Sequence, residues 1–127
     1  MKAVLVVAAI ALVAGQKLVE LKETGDEEAT CRAGETVAFR IASNPSTGYS
    51  WFLVPSDSTT ASLVNNNNEG TYIPGEAMPG APGQQEFLLK CNEQANVNDS
   101  YPFTLIKRRP WEDYSVRSKT VTLRVEA

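Results

Sequence analysis

The sequence predicts an all-β sandwich of Greek-key type with about seven strands. Three observations predict it. Apolar and polar residues alternate with period two in most hydrophobic stretches. Turn-rich stretches separate those runs at fairly regular spacing. After residue 15 no segment shows a convincing helical period. A chain of 127 residues makes one domain the default.

The elements follow in order. An opening strand is expected around residues 17–22. "ETVAFRIAS" places Val37, Phe39 and Ile41 on one face and Arg40 on the other. "YSWFLV" groups Tyr49, Trp51 and Leu53, and a weaker strand is expected at 61–64. "QEFLLKC" aligns Phe87, Leu89 and Cys91. "SYPFTL" aligns Tyr101, Phe103 and Leu105. "KTVTLRVEA" turns Val121, Leu123 and Val125 inward, with Thr120, Thr122 and Arg124 outward. Between them lie "ETGDEEAT", "NPST", "PSDST", "NNNNEG", "PGEAMPGAPG", "NEQANVND" and "RPWEDYS", all rich in turn formers.

The first fifteen residues, "MKAVLVVAAIALVAG", differ from the rest. Lys2 precedes an unbroken apolar run, and small residues follow where a signal peptidase cleaves, so 1–15 is expected to be a secretory signal peptide. The run is shorter than the roughly 18 apolar residues of a membrane span. A buried N-terminal strand or helix is the alternative. The domain then occupies 16–127, with a net charge near −4 once Lys2 is gone. That acidity argues against nucleic acid or an anionic membrane as partner.

The chain contains no histidine. Ser-His-Asp and Cys-His catalysis are therefore excluded in their usual forms, as are imidazole-based zinc sites. No Asp-rich loop suggests a metal, no paired-carboxylate motif suggests catalysis, and no cofactor is expected; an enzyme is the least favoured reading. Cys31 and Cys91 are the only cysteines. In a secreted chain an even count favours one disulfide over two free thiols. Such a bridge closes a loop of about 60 residues, worth around 3–4 kcal/mol on the loop-entropy model. "NDS" makes Asn98 a candidate glycosylation site.

Three connections stand out. In "NPSTGY", Pro45 fixes φ and pushes Asn44 toward an extended conformation. Gly48 permits positive φ and turns the chain back toward Tyr49. Ser46 and Thr47 are left at an uncharged tip, with hydroxyls free to bond locally or outward. A purely structural turn is the alternative. "PGEAMPGAPG" carries three Pro and three Gly and exposes backbone polar groups, either for a partner or as a linker. In "RRPWED", Trp111 follows Arg109 and Pro110. By parity Trp111 would extend an inward face, yet Pro110 breaks the register and charges flank the ring. That setting favours a loop-tip aromatic beside Arg, a frequent composition of binding hot spots.

"NPSTGYSW", the Gly-bounded "GAPG" and "RRPW", in that order and separated by strands, resemble the chagasin family of cysteine protease inhibitors. The resemblance runs from about Val37 to Val125. It implies an immunoglobulin-like sandwich that reversibly and non-covalently inhibits papain-like cysteine proteases, such as cathepsin L- or B-like enzymes. It also implies that the loop from Asn44 to Tyr49 enters the catalytic cleft. Gly80, Ala81, Pro82 and Gly83 would clamp one side, and Arg109, Pro110 and Trp111 the other. Trp51 would be a core residue. A narrow neutral plug suits a slot holding a thiolate–imidazolium pair, because it buries no unpaired charge there. The chain is expected to be monomeric and to enter the secretory pathway, for release or for a lysosome-like compartment. An immunoglobulin-type adhesion module is the alternative, as is a carbohydrate-binding module with Trp51, Tyr72 and Trp111 stacking on sugars.

Overall fold

The computed structural model describes residues 10–13, 16–44, 47–54, 60–64, 68–75 and 83–127. These residues form two sheets packed face to face, with no α-helix among them. The strands are β1 (Ile10–Val13), β2 (Gln16–Leu21), β3 (Glu27–Arg32), β4 (Thr36–Ser43) and β5 (Ser50–Leu53). They continue with β6 (Ala61–Leu63), β7 (Thr71–Ile73), β8 (Gly83–Cys91), β9 (Ser100–Arg108) and β10 (Arg117–Glu126). One sheet runs β1-β2-β4-β8-β6, with β7 also paired to β8; the other runs β3-β10-β9-β5. β2 lies parallel to β4, and β3 parallel to β10.

All seven expected strands are present, so the expected count of about seven is corrected upward, to ten among the described residues. The additions are β1, β3 and β7. β1 falls inside the segment expected to be a signal peptide and pairs antiparallel with β2. β3 lies in a stretch that looks turn-like because its first inward residue is the charged Glu27. β7 has only three residues, too few for a period to register.

Alternation fills the space between the sheets as expected. Val37, Phe39, Ile41, Phe87, Leu89, Tyr101, Phe103, Leu105, Val121, Leu123 and Val125 are all buried. Phe39 meets Phe103 edge-on at 5.3 Å, a geometry the ring quadrupoles favour. Trp51 is completely buried, which takes it out of any sugar-stacking surface.

One end of this core is closed covalently. Cys31 and Cys91 form a disulfide across the two sheets, both fully buried, with Cα atoms 6.6 Å apart. Backbone bonds tighten the same region: Gly34 N–H donates to the Cys91 carbonyl, and Cys91 N–H to the Glu35 carbonyl, each at 2.9 Å. The C-terminal strand finishes here, Glu126 lying opposite Arg32.

Candidate functional site

The other end gathers the connections. Ser43 pairs with Gly83, Ser50 with Arg108, and Lys107 with Arg117. Those three register pairs bring the flanks of 44–49, 74–82 and 109–116 to the same end of the sandwich. The 22–26 connection arrives there too, since Leu21 lies opposite Ile41 and Glu27 opposite Val121.

The first loop closes on itself. The Thr47 hydroxyl donates to the Asn44 carbonyl at 2.8 Å, and the Thr47 N–H donates to the same oxygen at 3.1 Å. Tyr49 N–H then donates back to Thr47 Oγ1 at 3.3 Å. The Thr47 side chain is exposed, but its hydroxyl is engaged locally. Gly48 has φ +83°, a conformation that other L-residues adopt at a cost. It is also crowded: a Cβ there would sit 3.0 Å from Trp111 Cη2. Pro45 and Ser46 lie outside the described residues.

A buried amide sets the base of that loop. Gln85 Oε1 accepts from Ser43 Oγ at 2.9 Å and from Trp51 N–H at 2.8 Å. Its Nε2 donates to the carbonyls of Trp51 at 2.9 Å and Glu69 at 2.8 Å. The Trp51 indole N–H donates to the Ala42 carbonyl at 3.1 Å. Gln85 on one sheet therefore holds the first residues of β5 on the other. Each bond is worth about 1 kcal/mol net, and each orphaned partner would cost more. Gln85 was not among the residues expected at the site, although it shares the inward parity of Phe87 and Leu89. A polar residue at an inward position was the available signal.

The third loop wraps around Arg108. Its Nη1 donates to the carbonyls of Arg109, Pro110 and Glu112 at 3.3, 3.3 and 3.0 Å. The guanidinium lies 4.7 Å over the Phe52 ring. Trp111 is 71% exposed, which decides for the loop-tip reading over the core reading. Tyr114 and Val116 on the same segment are exposed as well. Arg109 joins this loop to the first, its guanidinium carbon 4.4 Å from the Tyr49 ring centre and 6.0 Å from that of Trp111.

Of the glycine-rich loop only its last candidate residue, Gly83, is described; Gly80, Ala81 and Pro82 lie outside the described residues. A Cβ on Gly83 would meet the Ile73 carbonyl oxygen at 2.3 Å and Tyr72 Oη at 2.6 Å. Glycine is needed there because β7 crosses so closely. The structure thus brings Asn44, Thr47, Gly48 and Tyr49 together with Arg109, Pro110 and Trp111, and sets Gly83 beside Ser43. Asn98 is exposed, at φ +76° in the turn before β9, at the disulfide end.

Beneath the 22–26 connection lies a buried ion pair. Lys119 Nζ contacts Glu27 Oε2 and donates to the Lys22 carbonyl at 2.5 Å. The same carboxylate oxygen accepts from Lys22 N–H at 2.7 Å. The two side chains are 0% and 3% exposed. Both backbone groups of Lys22 are thereby gripped at the root of its loop.

A family model described as the chagasin family peptidase inhibitor I42 matches residues 30–125. The crystal structure of a cysteine protease inhibitor from Entamoeba histolytica is similar to this chain at 24% identity and a TM-score of 0.57. That match covers 86% of this chain and 96% of the other. The solution structure of amebosin is similar at 25% identity and a TM-score of 0.50, covering 84% and 96%. No curated protein matches the chain.

Proposed function

This chain belongs to the chagasin family of peptidase inhibitors, and we propose that its targets are papain-like cysteine proteases, occluded by the 44–49 and 109–116 loops acting together. The observation that carries this reading is the contact between those loops. Gly48 packs under Trp111, and Arg109 stacks on Tyr49. A loop that is internally bonded and braced from behind loses little entropy on docking. The described tip residues Thr47 and Gly48 are uncharged, so a desolvated cleft receives no unpaired charge from them. Trp111 offers the exposed aromatic anchor beside the cleft. The glycine-rich connection between β7 and β8 would clamp the other side of the cleft.

Inhibition is reversible and needs no bond to the catalytic thiol, because no side chain in 44–49 is an electrophile and the internally bonded turn does not offer an extended peptide bond for attack. The disulfide fits an oxidising, secretory-type environment. Residues 1–15 would direct the chain there and be removed, leaving β2 as the edge of its sheet. Asn98 would accept a glycan at the end away from the loops, where it would not obstruct a protease.

Titration against papain, with trypsin as control, tests this function. Stoichiometric, competitive inhibition of papain alone is expected, with the inhibitor recovered at full mass. Equal inhibition of both enzymes, or cleavage within 44–49 that keeps pace with loss of inhibition, would contradict it.

A further inference from the structure

The Arg109–Glu112 pair is a half-made fork. Arg109 Nη1 donates to Glu112 Oε2 at 3.4 Å, while Arg109 Nε and Glu112 Oε1 are both buried with no hydrogen-bond partner. Glu112 is the more enclosed, its side chain 17% exposed against 36% for Arg109. Glu112 N–H also donates to the Arg109 carbonyl at 3.1 Å, so one short turn sets both side chains on the same side of the loop. On its other flank the guanidinium faces the Tyr49 ring of the first loop, with Gly48 beside it. A Cβ on Gly48 would lie 3.6 Å from Arg109 Nε.

We propose that Glu112 is a positioning residue for inhibition: its carboxylate fixes Arg109 between Tyr49 and Trp111 and so couples the first and third loops into one surface. The inference rests on the protease-blocking reading above. Without the carboxylate, Arg109 keeps two ring contacts and a buried Nε, with no anion to hold it. A guanidinium in that position gains by swinging to water, where its donors are satisfied. Its departure would release Tyr49 from one side and Trp111 from the other. Glu112 itself then acts through Arg109 and need not touch the protease.

The test uses the full chain and papain. Glu112→Gln, of nearly the same shape but uncharged, should weaken inhibition about tenfold with an unchanged thermal midpoint. Glu112→Asp, which keeps the charge, should recover part of that loss. In a double-mutant cycle, adding Glu112→Gln to Arg109→Ala should cost little further, because the second residue works only through the first. Three results would overturn the proposal: inhibition by Glu112→Gln within twofold of the unmodified chain, full additivity with Arg109→Ala, or a loss that tracks a falling thermal midpoint. Failure of the unmodified chain to inhibit papain would instead overturn the function it rests on, so the two failures are distinguishable.

Discussion

The two ends of the sandwich are held by different means. At one end a disulfide, two backbone bonds between Cys91 and the 34–35 turn, and the closing register of β3 with β10 lock the strands. At the other end no covalent link exists among the described residues. Side-chain polar groups do the holding: Gln85 under the first loop, Arg108 inside the third, and the Lys119–Glu27 pair under the 22–26 connection. At the covalent end the described connections 33–35 and 92–99 are tied by backbone hydrogen bonds. At the polar end the connections 22–26, 44–49 and 109–116 are fixed at their roots by side chains. A binding surface needs defined loops, and side-chain bonds at the roots give that definition without filling the space that the partner must occupy.

The contrast makes predictions of graded size. The largest concerns the buried pair. Lys119→Met leaves the Glu27 carboxylate buried without its cation and should cost about 3–5 kcal/mol in chemical denaturation. Lys119→Met with Glu27→Leu should restore most of that stability. If the double variant is no more stable than the single, the pair is not what holds the root of the 22–26 loop.

Removing the disulfide comes next. Replacing Cys31 and Cys91 by Ala should lower unfolding free energy by about 3–4 kcal/mol. The inhibition constant, measured where the protein is still folded, should hardly move. A large loss of inhibition would mean that the two ends are not independent.

Trp111→Ala should do the reverse. Its ring is exposed, so the thermal midpoint should stay within a degree or two, while binding to papain weakens by about 2 kcal/mol, roughly thirtyfold. A collapsed midpoint would remove Trp111 from the binding surface. The smallest effect is expected at the disulfide end: Asn98→Gln should leave the inhibition constant unchanged.

Much of this was legible in the sequence, for a physical reason. Alternation at β4, β8, β9 and β10 follows from one buried and one wetter face, and burial follows it throughout except at Ala38, which is buried between Val37 and Phe39. The first and third loops announce themselves through Pro, Gly and Trp, whose backbone limits and size leave few other uses. What escaped were polar residues at inward positions. Glu27 hides the period of β3, because a charge belongs inside only when its partner is known, and Lys119 lies 92 positions away. Gln85 stands at an inward position of β8, but its role shows only once the four backbone and hydroxyl groups around it are seen. Pairing across sheets is set by register, which local composition does not contain.

Hydrogen–deuterium exchange tests the central claim most directly, with the inhibitor measured free and bound to papain whose catalytic Cys is replaced by Ala. Slower exchange on binding is expected at 44–49 and 109–116, with no change at 33–35 or 92–99. Protection confined to the disulfide end, or none at the two loops under saturating enzyme, would contradict the account.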